Sequence, residues 1–150
     1  MGNYLNPGNE EFLRIINSEI YIDKTGLLTY TNRVMNTLQG YICNSRPRRF
    51  GKSITANMLT AYYSKGCQSD KLFANLSIAK DAAYAEHLNK YDVIHFDVQW
   101  CLMMAGTAEK TVEFISKNIL KELRDVYGAA ISADAQNVAA ALSDINTATG

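Results

Sequence analysis

A chain of 150 residues, 47% apolar and 20% charged, is sized for one soluble domain with a substantial core. Its 15 basic residues balance 15 acidic ones, so no global field draws it to nucleic acid or anionic lipid, and no apolar run approaches the roughly 20 residues that span a bilayer. Three widely spaced cysteines (Cys43, Cys67, Cys101) and a first segment without a charged-then-apolar leader predict reduced thiols in a cytoplasmic protein, with no membrane partner.

In chain order, Asn6-Pro7-Gly8-Asn9 is a turn signal, and Asn9 can cap a short helix with Glu10 and Glu11 in its first turn and Phe12, Ile15 and Ile16 on its apolar face. Ile20 to Ile22 reads as extended and leads into a second helix after Asp23 or Thr25. Gly40 to Asn44 is a brief strand candidate, rich in β-formers. A basic loop follows, and then a helix whose apolar residues Ile54, Met58, Leu59 and Tyr62 recur at helical spacing. Beyond a loop at Gly66 to Asp70, the run DAAYAEHLNKY reads as a helix, with His87 facing solvent. Tyr91 to Trp100 is the strongest strand candidate, and His95 reads as a core or strand-edge histidine on it. Thr107 can cap a long helix, Glu109 to Tyr127, closed by Gly128, and a last helix runs roughly from Ala133 to Ile145. The stripe Val112, Ile115, Ile119, Leu123 and Val126 predicts packing on a sheet, with a self-association seam as the alternative. The alternation of elements predicts an α/β fold with a parallel sheet.

The chemistry concentrates in NSRPRRFGKSIT, Asn44 to Thr55. Gly51-Lys52-Ser53 is the tail of the phosphate-loop pattern G-x-x-x-x-G-K-[ST], placed between a predicted strand and a predicted helix, where that pattern works. Gly51 lets the backbone approach an anion. Lys52, the candidate catalytic residue, reaches the β and γ phosphates, and Ser53 offers its hydroxyl to Mg²⁺. The backbone from Arg48 through Arg49, Phe50, Gly51 and Lys52 to Ser53 forms the expected cradle for a nucleotide's phosphates, with Ile54 a further candidate binding residue. Arg46 stands where the pattern has its first glycine, and Pro47 offers another way to hold the turn. Two other readings stay open at this point: a nucleic-acid patch of Arg46, Arg48, Arg49 and Lys52, and a plain solvated loop. Cys43, just before the loop, reads as a small buried hydrophobe.

The combination of YIDKTGLL upstream with SRPRRFGKS resembles the predicted AAA-ATPase-like proteins of bacteria and some archaea, whose phosphate loop has arginine at that first position. The likeness extends from NPGNEEF to LSDINTATG. It implies a P-loop NTPase domain that binds ATP with Mg²⁺, a three-layer sandwich with a parallel sheet. Residues 1–38 would form a helical lead-in with the YIDKT box and residues 39–150 a portion of the P-loop core. By analogy, the box (Tyr21, Asp23, Lys24, Thr25) lies near the base or ribose; the alternative is that Asp23 or Thr25 caps the second helix. The resemblance further implies that the Walker B carboxylates, and a downstream nuclease-like region that could meet nucleic acid, fall beyond Gly150. Hydrolysis by this chain itself is then expected to be very slow. Asp97, after the apolar run VIHF, is a substitute Mg²⁺ ligand on one reading and the end of a strand on the other. An inactive ATPase remnant, or a nucleic-acid module using the basic loop, is the alternative to ATP binding, and oligomerisation stays open.

Overall fold

The computed structural model describes residues 2–45, 47 and 50–149. Eight helices order the described chain: α1 (Glu10–Ile16), α2 (Gly26–Val34), α3 (Lys52–Tyr63), α4 (Asp70–Phe73), α5 (Tyr84–His87), α6 (Val98–Ala105), α7 (Ala108–Tyr127) and α8 (Val138–Thr149), with single 3₁₀ turns at Leu38–Gly40, Ser77–Lys80 and Gly128–Ala130. None of these helices is long and apolar enough to cross a membrane.

The expected α/β sandwich is overturned. Helix accounts for 57% of the chain and strand for 3%, and the described residues contain no sheet. Their β pairing consists of two isolated bridges, Ser64 with Tyr91 in parallel and Leu5 with Ile94 in antiparallel. The reason lies in the two segments meant to supply strands. Gly40–Asn44 emerges from a 3₁₀ turn and stays open to solvent, Tyr41 being 93% exposed, with no ladder beside it. Tyr91 to Trp100 is divided: its first residues satisfy other backbone groups singly, and from Val98 onward it is helical. Asp97 directs that switch, since its carboxylate accepts the Trp100 N–H at 3.0 Å and caps α6. A continuous β-rich run thus carries an internal helix start.

The chain forms two compact units. The first, Asn6–Val93, is built on α3, which buries Thr55, Met58, Thr60, Ala61, Tyr62 and Tyr63 among Phe12, Leu28, Phe73, Ile78 and Leu88. Each large side chain fully removed from water here contributes about 2–3 kcal/mol. Phe12 stacks on Phe73 with centroids 5.2 Å apart, and Tyr62 meets Phe73 edge-on at 5.3 Å. The tyrosine hydroxyls reach α2: the Asn32 amide donates to Tyr62 at 3.1 Å, Tyr63 donates to Asn32 at 2.7 Å, and Tyr63 also touches the Thr31 hydroxyl. Burial pushes the Tyr63 phenol up to about 12, so it stays a neutral donor at any physiological pH.

The last carbonyls of α3 lack partners within their own helix and need donors from elsewhere. Asn89 supplies them. Held at φ 54°, it extends its amide to the carbonyls of Ala61 (2.9 Å), Tyr62 (3.2 Å) and Ser64 (2.9 Å) and accepts the Ser69 N–H at 2.9 Å. The Ser69 hydroxyl adds a second donor to Ala61 at 2.7 Å. His87, expected in solvent, is instead buried, its Nδ1 paired with the Tyr91 hydroxyl at 2.6 Å.

The second unit comprises Gly2–Leu5 and residues from Ile94 onward. Here α6 and α7 form a helical hairpin through Gly106, at φ 81°, and α8 packs on α7. Its core is Tyr4, Leu5, Cys101, Ile119, Leu123, Ala135, Ala141 and Ile145. Glu122 holds the N-terminal segment by accepting the backbone N–H groups of Asn3, Tyr4 and Leu5 at 2.9, 2.9 and 2.7 Å. Only part of the anticipated apolar stripe on α7 is covered: Ile119 and Leu123 are buried, whereas Val112 and Val126 are exposed.

Replacing Asn89 by Ala removes four hydrogen bonds and leaves a left-handed backbone without the side chain that favours it. Urea unfolding should show a loss of about 2–4 kcal/mol; a loss below about 0.5 kcal/mol, the level of an ordinary surface change, would contradict this role.

Candidate functional site

Gly51 is the N-cap of α3 and adopts φ 79°, ψ 30°, the left-handed conformation that a side chain resists and glycine accepts. The first bond of the α3 ladder is Thr55 N–H to the Gly51 carbonyl at 2.9 Å, doubled by the Thr55 hydroxyl at 3.0 Å. The amides ahead of that bond, those of Ser53 and Ile54 among them, have no acceptor in the α3 ladder and lie at its positive end. Lys52 and Ser53 occupy the first exposed turn, Ile54 is partly exposed and Phe50 is largely open to solvent. Arg46, Arg48 and Arg49, part of the expected cradle or basic patch, lie outside the described residues. Cys43, read as buried, is exposed.

The YIDKT box arrives at this turn from the other side. A methyl group placed on Gly51 would meet the Lys24 ammonium at 3.1 Å, so Lys24 Nζ lies directly against the glycine of the loop. What fixes the box is Asp23. Its Oδ1 accepts the Thr25 N–H (2.8 Å) and hydroxyl (2.7 Å), and its Oδ2 accepts the Ser77 N–H (2.7 Å) and hydroxyl (2.6 Å). Thr25, fully buried, in turn accepts the Ile78 N–H at 3.1 Å. Burial works against the Asp23 charge, but the hydroxyls of Ser77 and Thr25 and their amides outweigh it and hold the carboxyl at about 2. Both of its oxygens are therefore occupied within the protein. Tyr21 packs edge-on against Phe12, and its hydroxyl is buried with no well-formed hydrogen bond among the described residues. Burial, and then the Asp23 charge, push that phenol up, with the nearby Lys24 amide opposing.

The sequence singles out the loop and the box as candidates and passes over Ser77, which anchors Asp23 from 54 residues away. The local half of that anchor was readable: an Asp two residues before a Thr forms an Asx turn at a helix start. Nothing in the sequence around Ser77 marks its half. Asp97 belongs to the second unit, where it caps α6, and His95 is half-buried there, its imidazole pushed down by burial with Asp97 opposing. The described residues hold no group of three or more His, Cys, Asp or Glu side chains arranged to bind a metal ion.

The described geometry at this point is a left-handed Gly51 opening a helix whose first residues are Lys52 and Ser53, with the Lys24 ammonium beside the turn and, among the described residues, no strand ahead of it. Residues 7–149 match the family described as predicted AAA-ATPase, and the chain belongs to that family. No curated protein and no solved structure matches it significantly.

The Asp23 anchor carries a pH dependence. Its folded value, about 2, lies below its ordinary 3.8, so the stabilisation is complete above about pH 4 and is lost as pH falls toward 2. Solvent screening at this exposed carboxylate reduces the contribution to about 1 kcal/mol. Thermal melts from pH 5 to 2 should therefore fall less steeply for Asp23→Asn than for the parent; identical slopes would refute the anchor.

Proposed function

We propose that this chain binds ATP, with Mg²⁺, at the start of α3. The observation that carries this reading is the left-handed Gly51 leading straight into Lys52 and Ser53 on an exposed helical turn, in a chain of the predicted AAA-ATPase family. An anion at that point would gain the amides ahead of the α3 ladder, the helix dipole and the Lys52 ammonium together. The backbone of Phe50 through Ser53, the described part of the expected Arg48–Ser53 cradle, would meet the β-phosphate, and Lys52 would neutralise the β and γ phosphates, the role expected of it in catalysis.

A metal ion held by protein side chains alone does not suit the described residues. Mg²⁺ keeps most of its water and binds largely through substrate phosphates, so a complex delivered with ATP needs little more than the Ser53 hydroxyl from the protein. Bound this way, Mg²⁺ supplies charge neutralisation at the phosphates. Hydrolysis further needs a carboxylate to orient water. Asp23 has both oxygens engaged by the protein and Asp97 accepts the Trp100 amide as the α6 cap, so neither is assigned that task. Nucleotide binding is accordingly the activity proposed for this chain, and turnover is not.

Calorimetry of Mg-ATP against the parent and Lys52→Ala tests the reading. Loss of one charge-assisted contact should weaken binding by about 1.5–3 kcal/mol, roughly ten- to a hundredfold, with the far-UV circular dichroism unchanged. Equal affinity of the two proteins would overturn the assignment. A weak ATP response alongside single-stranded nucleic-acid binding that falls steeply with salt would favour the basic-patch reading instead.

A further inference from the structure

We propose that Lys24 is a second phosphate-binding cation of this site, directed at the phosphates rather than at the base or ribose. The inference rests on the nucleotide-binding reading above and concerns which part of the ligand the YIDKT box meets. Its first support is position: Lys24 Nζ lies against Gly51, the residue whose backbone would approach the phosphate, since a methyl there would sit 3.1 Å from it.

The second support is electrostatic. The Lys24 ammonium lies beside Gly51, the N-cap of α3, and so stands at the positive end of that helix. A cation there is disfavoured unless something negative joins it. Among the described residues, Lys24 Nζ has no hydrogen-bond or ion-pair partner. The nearest carboxylate in sequence, Asp23, already receives two donors on each oxygen, from residues 25 and 77. An exposed lysine with no role at this place would gain by turning into solvent. Lys24 beside a left-handed glycine at the start of α3 leaves room for an anion that the described residues do not provide.

The third support is the rigidity of its mounting. Residues on both sides of Lys24 are fixed, Asp23 through its four bonds and Thr25 through Asp23 and Ile78. The backbone that presents the ammonium is thereby set before any ligand arrives, which lowers the ordering cost of binding.

Inorganic triphosphate, which has neither base nor ribose, separates the two possible targets of Lys24. Its binding and that of ATP, both with Mg²⁺, are measured by calorimetry on the parent, Lys24→Met and Lys52→Ala. Lys24→Met keeps the length of the side chain and removes its charge at an exposed position, and circular dichroism checks that it folds. The expected result is a loss of about tenfold or more for both ligands, by a common factor. Loss for ATP with triphosphate binding intact would overturn the inference and place Lys24 at the base or ribose. No loss for either ligand would also overturn it, while sensitivity to Lys52→Ala in the same series would leave the ATP site itself standing. A folded parent that bound neither ligand would remove the ATP site and this inference together.

Discussion

The carboxylate of Asp23 is the constraint from which the first unit's candidate site follows. Two donors from Thr25 turn the chain sharply into α2, and two from Ser77 tie that turn to a 3₁₀ segment far along the sequence. Four short hydrogen bonds to a charged acceptor are stronger than their neutral counterparts and tolerate little displacement. The backbone at Lys24, between the two anchored residues, is thereby fixed. At the other end of α2, Asn32 and Thr31 meet the Tyr62 and Tyr63 hydroxyls near the end of α3.

The start of α3 takes little part in the core. The aromatic cluster around Tyr62 and Phe73 and the carbonyl cap made by Asn89 hold α3 from its C-terminal end. Its N-terminal turn remains exposed at Lys52 and Ser53. The packing of α3 is thus concentrated away from the turn that carries the candidate site. A loop designed for packing would bury its apolar neighbours, yet Phe50 is 57% exposed.

The loop and the box were legible because their signals are local. Glycine before lysine and serine specifies both a left-handed turn and the start of a helix, and α3 begins at Lys52 as the spacing predicts. The long amphipathic helix was also readable, and α7 ends at Tyr127 as expected. The sheet was not, because strand character in a sequence is conditional on a neighbour. Gly40 to Asn44 has the right residue types and no partner among the described residues, and Tyr91 to Trp100 contains, in Asp97, a helix cap that a hydropathy pattern passes over. DAAYAEHLNKY contracted to the single turn α5, since Asn89 adopts a positive φ to serve the end of α3. The tie from Asp23 to Ser77 was invisible for a related reason: a hydrogen bond across 54 residues leaves no periodic trace.

The central claim is that the box and the loop make one anion site, and chemical-shift mapping tests it most directly. The chain, labelled with ¹⁵N on backbone and lysine side chains, would be titrated with Mg²⁺ and a non-hydrolysable ATP analogue. The account predicts that the largest changes fall together on the amides of Gly51 to Ile54 and on the ammonium groups of Lys24 and Lys52. Changes confined to α7 or scattered over the surface, or changes at Gly51 to Ile54 that leave Lys24 untouched, would contradict it.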